Sequence, residues 1–285
     1  MKNLILTTLF TISIYCANCQ SNNEIKLIVR GDDIGSSHAA NLACIDSYKN
    51  GFMKSVEIMV PCPWFPEAVR MLNENPGLDV GIHLTLTSEW DNVKWRPLTQ
   101  CPSLVDSSGF FFPMVWPNKN YPGKSISENK WKLDEIEKEL RAQIELALKK
   151  IPHSSHLSSH MGFTGLSKEI SKLTEKLAKE YHLNFELEGY KIDYAGYDGP
   201  TKTSEEKIQS FINRLNKLQP GKTYLFVDHP GLDNEEFSAI HHVGYENVGV
   251  DRQGVTELFT SKQALEVIKN KGIKVISYKD LIQKQ

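Results

Sequence analysis

Short apolar runs alternate with helix-length segments along almost the whole of this 285-residue chain, and that alternation limits the fold more than any other feature. Runs suited to buried strands stand at residues 25–29 (IKLIV), 56–60 (VEIMV), 79–86 (DVGIHLTL), near 153–160, and at 184–188, 223–228 and 274–277. The first, IKLIV, is the kind of short, largely apolar run that a buried parallel strand needs. Between them, residues 37–49, 65–72, 128–150, 166–181, 205–218 and 263–271 read as helices, with a terminal helix at 278–283. The clearest is 128–150, where Leu133, Ile136, Leu140, Ile144 and Ala147 recur at helical spacing and Lys149 and Lys150 suit the negative C-terminal end. Strands separated by helices predict a parallel sheet with right-handed crossovers. Seven such units predict an α/β fold whose sheet closes, or nearly closes, into a barrel.

Residues 88–127 interrupt this pattern. They hold Pro97, Pro102, Pro113, Pro117 and Pro122, the tryptophans Trp90, Trp95 and Trp116, and Phe110 to Phe112. The stretch is too long for a plain connection and reads as an insertion over one end of a single domain spanning 20–285. Its aromatics either line a sugar site or form a satellite core.

Lys2 followed by an apolar run to Cys16 reads as an export signal over residues 1–19, too short to span a bilayer. That predicts a periplasmic or secreted protein, or an outer-membrane lipoprotein if Cys16 or Cys19 is lipidated; a membrane partner is expected only in that case. Cys44, Cys62 and Cys101 form neither a disulfide framework nor a zinc-finger spacing. One disulfide is compatible with an oxidising compartment, but Cys44 reads first as a small buried residue on a helix. A formal charge of −2 argues against nucleic acid as a partner. Self-association into a homodimer is left open.

In a parallel barrel, functional side chains gather at the C-terminal ends of the strands. Here the first strand runs into Arg30, Gly31, Asp32 and Asp33; the third carries His83; the fourth carries His156 and His160; the sixth ends at Asp228 and His229. Adjacent buried carboxylates are costly unless a cation is present. Asp with two histidines makes a metal site with open positions, suited to zinc or another divalent ion. Of the histidines in HSSHLSSH, His160 lies nearest the strand end and is preferred as ligand; His156 reads as a structural neighbour. His229, in the tight turn of DHPG, is placed as a general acid. Arg30, Trp64 and Trp90 are candidate substrate contacts. His241 and His242 are weaker candidates from a loop.

The sequence resembles the YdjC-type, chitooligosaccharide deacetylase-like carbohydrate deacetylases. The resemblance rests on LIVRGDDIGSS, VGIHLTLT, HLSSHMG, the HPG turn and KVISYKDL, in that order over nearly the whole chain after the signal. It implies a distorted seven-stranded β/α barrel of the polysaccharide-deacetylase type. It implies Asp33, His83 and His160 as ligands of one divalent metal ion, zinc or magnesium, Asp32 as base and His229 as acid. It implies an acetylated mono- or oligosaccharide as substrate. Two departures stand out: many family members carry Asp where Ser158 stands and a second His where Gly162 stands. The departures keep a rival reading open, a carbohydrate-binding protein on the same fold with an impaired site. A metal-dependent esterase or phosphoesterase is a third reading, weakened by the lack of a Gly-rich phosphate loop.

Overall fold

The structure, a computed structural model, describes residues 23–185 and 189–282. The segment read as an export signal, with Cys16 and Cys19, lies outside the described residues, as do residues 186–188 of the expected fifth strand.

The strands are β1 Lys26–Ile34, β2 Ser55–Ile58, β3 Asp79–Leu84, β4 His156–Ser159, β5 Asn184–Phe185, β6 Ile192–Tyr194, β7 Thr223–Asp228 and β8 Lys274–Ile276. The helices are α1 His38–Lys49, α2 Phe65–Asn73, α3 Leu133–Lys150, α4 Lys168–Glu180, α5 Ser204–Lys217, α6 Glu235–Ser238, α7 Val248–Phe259, α8 Lys262–Asn270 and α9 Tyr278–Ile282. The strands pair in the order β5-β4-β3-β2-β1-β7-β6, with β8 added to β1, and the pairings between them are parallel. The result is the expected α/β architecture, a curled parallel sheet of half-barrel form. It differs from the expectation by one strand: β6 was hidden because its three residues are half-buried or exposed and make no apolar run. Helices α6 and α7 were hidden too. In α7, Gly249, Gly254 and polar residues break the periodic stripe that marks an amphipathic helix.

Side chains capping the helices satisfy their first N–H groups. Ser37 accepts from the Ala40 amide and Ser167 from the Ile170 amide, while Thr203 and Glu206 form a reciprocal capping box on α5.

Alternation along β1 builds the inside of the curl in layers. Ile28, with its register partners Leu225 and Ile276 and with Tyr278, makes a small apolar floor. Arg30, two residues on, enters a polar layer above it, and Asp32 stands above that. The opposite face of the sheet packs on the helices in one large apolar cluster running from Ile25 to Ile273. The 88–127 insertion belongs to that cluster: Trp90, Trp95, Leu104, Phe111 and Val115 are buried in it, so it is not a satellite core. Trp116 stays half-exposed. Cys44, Cys62 and Cys101 are buried free thiols, so no disulfide joins them. Among the described residues no helix is long and apolar enough to cross a membrane.

Candidate metal centre and active site

Successive residues on a regular strand point to opposite faces, yet Asp32 and Asp33 both aim into the curl. The cause is a bulge. Gly31 pairs with Val56 and Ile34 with Ile58, so β1 carries one residue more than β2 across this interval. Asp33 takes a left-handed φ of 73°, a conformation that Asp tolerates better than most residues. The Ser36 hydroxyl and amide both donate to the Asp33 carbonyl and hold the turn. As a result Asp32 Oδ2 and Asp33 Oδ1 each lie 3.8 Å from His83 Nε2. Strand β1 therefore extends through the aspartates instead of ending at residue 29, and both carboxylates face one histidine.

His83 comes from the inward face of β3. His160 opens a 3-10 segment, His160–Leu166, in which Met161 and Gly162 take left-handed φ of 51° and 65° and turn the chain away from the sheet. His160 Nδ1 lies 3.4 Å from Asp33 Oδ1, and its Nε2 is 3.2 Å from Glu89 Oε2. The two imidazoles meet nearly edge-on, with centroids 5.1 Å apart. One oxygen of Asp33 and one nitrogen each of His83 and His160 thus lie within 4.8 Å of one another.

These residues fit a metal ion. Asp33 Oδ1 is buried without a hydrogen-bond partner, which a native fold rarely permits unless something else occupies the atom. A tetrahedral ion with bonds of about 2.1 Å sets its ligands roughly 3.4 Å apart. The observed 3.4 and 3.8 Å separations are close to that spacing.

The two aspartates differ in their surroundings. Burial raises both, but Arg252 donates to Asp33 Oδ2 at 2.8 Å, and with His229 and His160 it holds Asp33 well below the usual carboxylate range. At Asp32 burial prevails. Arg30 donates to Oδ2 at 2.9 Å and brings Nε within 2.7 Å of Oδ1, at an angle too poor for a hydrogen bond. Arg30 and His229 lower the Asp32 pKa, but Glu57 and Asp33 add to burial, and the carboxyl is pushed up to about 6. Burial and neighbouring His160 push His83 down to about 3, leaving it neutral. Burial also opposes charge on His160, but Glu89 and Asp33 outweigh it and raise His160 to about 10, so an ion entering here displaces a proton.

His229 follows the end of β7 at the mouth of the site, its side chain 40% exposed. Nε2 lies 4.0 Å from Asp33 Oδ2 and Nδ1 3.5 Å from Asp228 Oδ1. Asp228 is fixed in turn by the Tyr197 hydroxyl at 2.6 Å. Burial would lower the His229 pKa, but Asp33 and Asp228 overcome this and raise it.

The structure therefore gathers Asp32, Asp33, His83, His160 and His229. It separates the candidate substrate contacts. Arg30 is buried against Asp32, Tyr278 and Glu57, and Trp90 is buried beneath Arg252 and His242, so both are engaged by the protein itself. Trp64 stays exposed beside His38. His241 and His242 lie outside the ligand group, on Asn92 and Trp90 respectively. Sequence reasoning missed Arg252, Glu89 and Glu57. A buried acidic residue in the otherwise apolar run VEIMV was a usable signal for Glu57; the other two sit in segments without a readable pattern.

The model of the YdjC-like protein family matches residues 26–270. Carbohydrate deacetylase 1 of Listeria innocua is 28% identical over 266 residues, covering 90% of this chain and 100% of the relative. A carbohydrate deacetylase of Clostridium beijerinckii is 30% identical over 267 residues, with coverage of 90% and 100%. A solved structure from Enterococcus faecalis V583, described as a proposed cellobiose-phosphate cleavage protein, is 25% identical, with a TM-score of 0.70 over 90% of this chain and 99% of its own. The family match runs from β1 to the end of α8 and takes in the bulged aspartates, His83, His160 and His229: the chain belongs to the YdjC-like protein family.

Proposed function

We propose that this protein is a metal-dependent carbohydrate deacetylase that hydrolyses the N-acetyl amide of a mono- or oligosaccharide. The observation that carries the reading is the orphaned Asp33 Oδ1 facing His83 and His160, with a second carboxylate and an accessible histidine beside it. The names of the relatives support it.

Asp33, His83 and His160 hold the ion; two imidazoles and one carboxylate suit zinc better than magnesium, which prefers oxygen. A bound divalent ion polarises a carbonyl and acidifies water. Asp32, oriented by Arg30, takes the proton of the attacking water. As the new C–O bond forms and the C–N bond breaks, His229 gives its proton to the departing sugar amine, and acetate leaves. The raised pKa of His229 keeps that proton available near neutral pH.

Acetate release should be measured on N-acetylated mono- and oligosaccharides, using protein stripped of metal and reloaded with zinc, magnesium, cobalt or nickel. Metal-dependent release is the expected result. Turnover of acyl or phosphate esters alone would replace the amide with another substrate. Sugar binding unaffected by chelator, with no turnover, would leave a binding protein. Export by residues 1–19 belongs to the same proposal, and the N-terminal mass of the protein recovered from cells tests it.

A further inference from the structure

Ser158 and Glu57 form a buried chain of hydrogen bonds behind His83 that the reaction as written does not use. Neighbouring strands put the parts in register. Glu57 on β2, Gly81 on β3 and His156 on β4 are direct partners across the sheet, and His83 is the partner of Ser158. Gly81 has no side chain, and a Cβ there would collide with the Glu57 carboxylate and with His156 Nε2. Its absence lets Glu57 Oε1 reach His156 Nε2 at 2.6 Å, across the strand between them. Ser158 donates its hydroxyl proton to Glu57 Oε2, and the same oxygen lies 2.7 Å from His83 Nδ1.

Counting protons fixes every direction in this chain. Ser158 has one proton, and it goes to Glu57. Its oxygen therefore accepts from His83 Nδ1–H, which leaves His83 Nε2 with its lone pair facing the aspartates. On the far side, the Ser155 hydroxyl donates to Asp79 Oδ1 at 2.7 Å, so its oxygen accepts from His156 Nδ1, also 2.7 Å away. His156 thus donates from both nitrogens and is the cation that balances Glu57. Tyr278 stacks on His156 at 3.9 Å and bonds to Arg30, closing the layer from below. Glu57, His156 and Ser158 are wholly buried, so water does not compete for these bonds.

We infer that Ser158 and Glu57 act in series as the positioning pair for His83: a hydroxyl relays the pull of a carboxylate one strand away and holds the ring in the tautomer that offers Nε2 outward. Resting on the reading of His83 as a metal ligand, this also gives the Ser158 departure a physical sense. Where the resemblance leads one to expect a carboxylate at 158, a hydroxyl bonded to the Glu57 carboxylate stands instead.

The test uses full-length protein labelled with 15N in histidine, together with zinc titrations against a competing chelator. In the metal-free wild type, His83 should appear as the Nδ1–H tautomer. Ser158→Ala should scramble that tautomer and weaken zinc binding by about 10- to 100-fold, the usual loss when a partner behind a metal ligand is removed. S158D should weaken zinc as well, because it sets a second carboxylate against Glu57. S158D/E57A, which restores a single carboxylate, should recover most of the loss. A structural role alone does not predict recovery in the double variant. An Nε2–H tautomer in the wild type, or wild-type zinc affinity and tautomer in S158A, would overturn the inference. If the wild type bound no zinc, the metal reading would fail, and the tautomer of the metal-free protein would decide the relay by itself.

Discussion

Asp32 and Asp33 share one chemistry and have been given opposite surroundings. Arg252 and two histidines fix Asp33 as an anion, whereas burial beside Glu57 raises Asp32 towards neutrality. A fixed anion suits a ligand; a carboxyl that gains and loses a proton suits a base. Asp32→Asn should therefore retain zinc stoichiometry while kcat falls by roughly two to four orders of magnitude. His83→Ala should lose both metal and turnover, and metal analysis alongside acetate release separates the two outcomes. If D32N turned over normally, another group would have to be the base. His229 gives a second test. Its pKa is raised, so its protonated form persists above the ordinary imidazole value of about 6.5 and is lost only at higher pH. The basic limb of kcat/KM should lie above that value and vanish in His229→Gln. These residues were legible because strand ends concentrate chemistry and each is ionisable. Arg252 was not: a single arginine in a helix without periodicity looks like any solvated charge, and only the fold carries it to Asp33.

At the scale of elements, the strands were legible wherever apolar residues ran on unbroken, and their order along the chain foretold the parallel pairing. What escaped is what depends on partners. The bulge in β1 cannot be read from β1 alone, because it is defined against the spacing of β2. Polar β6 is a strand only through its pairing with β7. Strand β3 makes a specific prediction. Gly81 stands where a methyl group would strike the Glu57 and His156 side chains. Gly81→Ala should destabilise the fold by about 1–3 kcal/mol, as overpacking does, and should weaken zinc binding through the same displacement. A variant with unchanged Tm and unchanged zinc affinity would show that the layer yields easily. The insertion was half legible: its tryptophans were visible, but their burial in the main core was not, since an aromatic is equally at home in a core or against a ligand.

For the molecule as a whole, stability depends on the buried charges in the curl. A metal ion that binds the folded protein alone should contribute about 4 kcal/mol at a thousandfold excess over its Kd, and zinc is the ion to test. A chain of this size should then melt on the order of 10 °C higher. Calorimetry with and without zinc checks this, and His160→Ala should abolish the shift. Acid should act in the opposite direction. Glu57 resists burial but is held below its ordinary pKa by His156 and Arg30. Its stabilisation is therefore complete above the unfolded value of about 4.3 and is lost as pH falls below it. Unfolding followed by tryptophan fluorescence should set in below about pH 4.

The pairing of β1 with β8 joins the first and last strands of the described chain. During synthesis, β1 emerges early with both aspartates, and all three candidate ligands, Asp33, His83 and His160, have been made by residue 160. Yet Arg252, which pins Asp33, comes much later, and Tyr278, which anchors Arg30 beneath Asp32, comes almost last. A chain that stops before α7 carries every candidate ligand and lacks Arg252, the residue that holds Asp33 as an anion and so sets it apart from Asp32. Completion of the fold should thus itself act as a checkpoint on activity: fragments ending before Val248 should release no acetate even with metal added, and a truncation series assayed for acetate checks this.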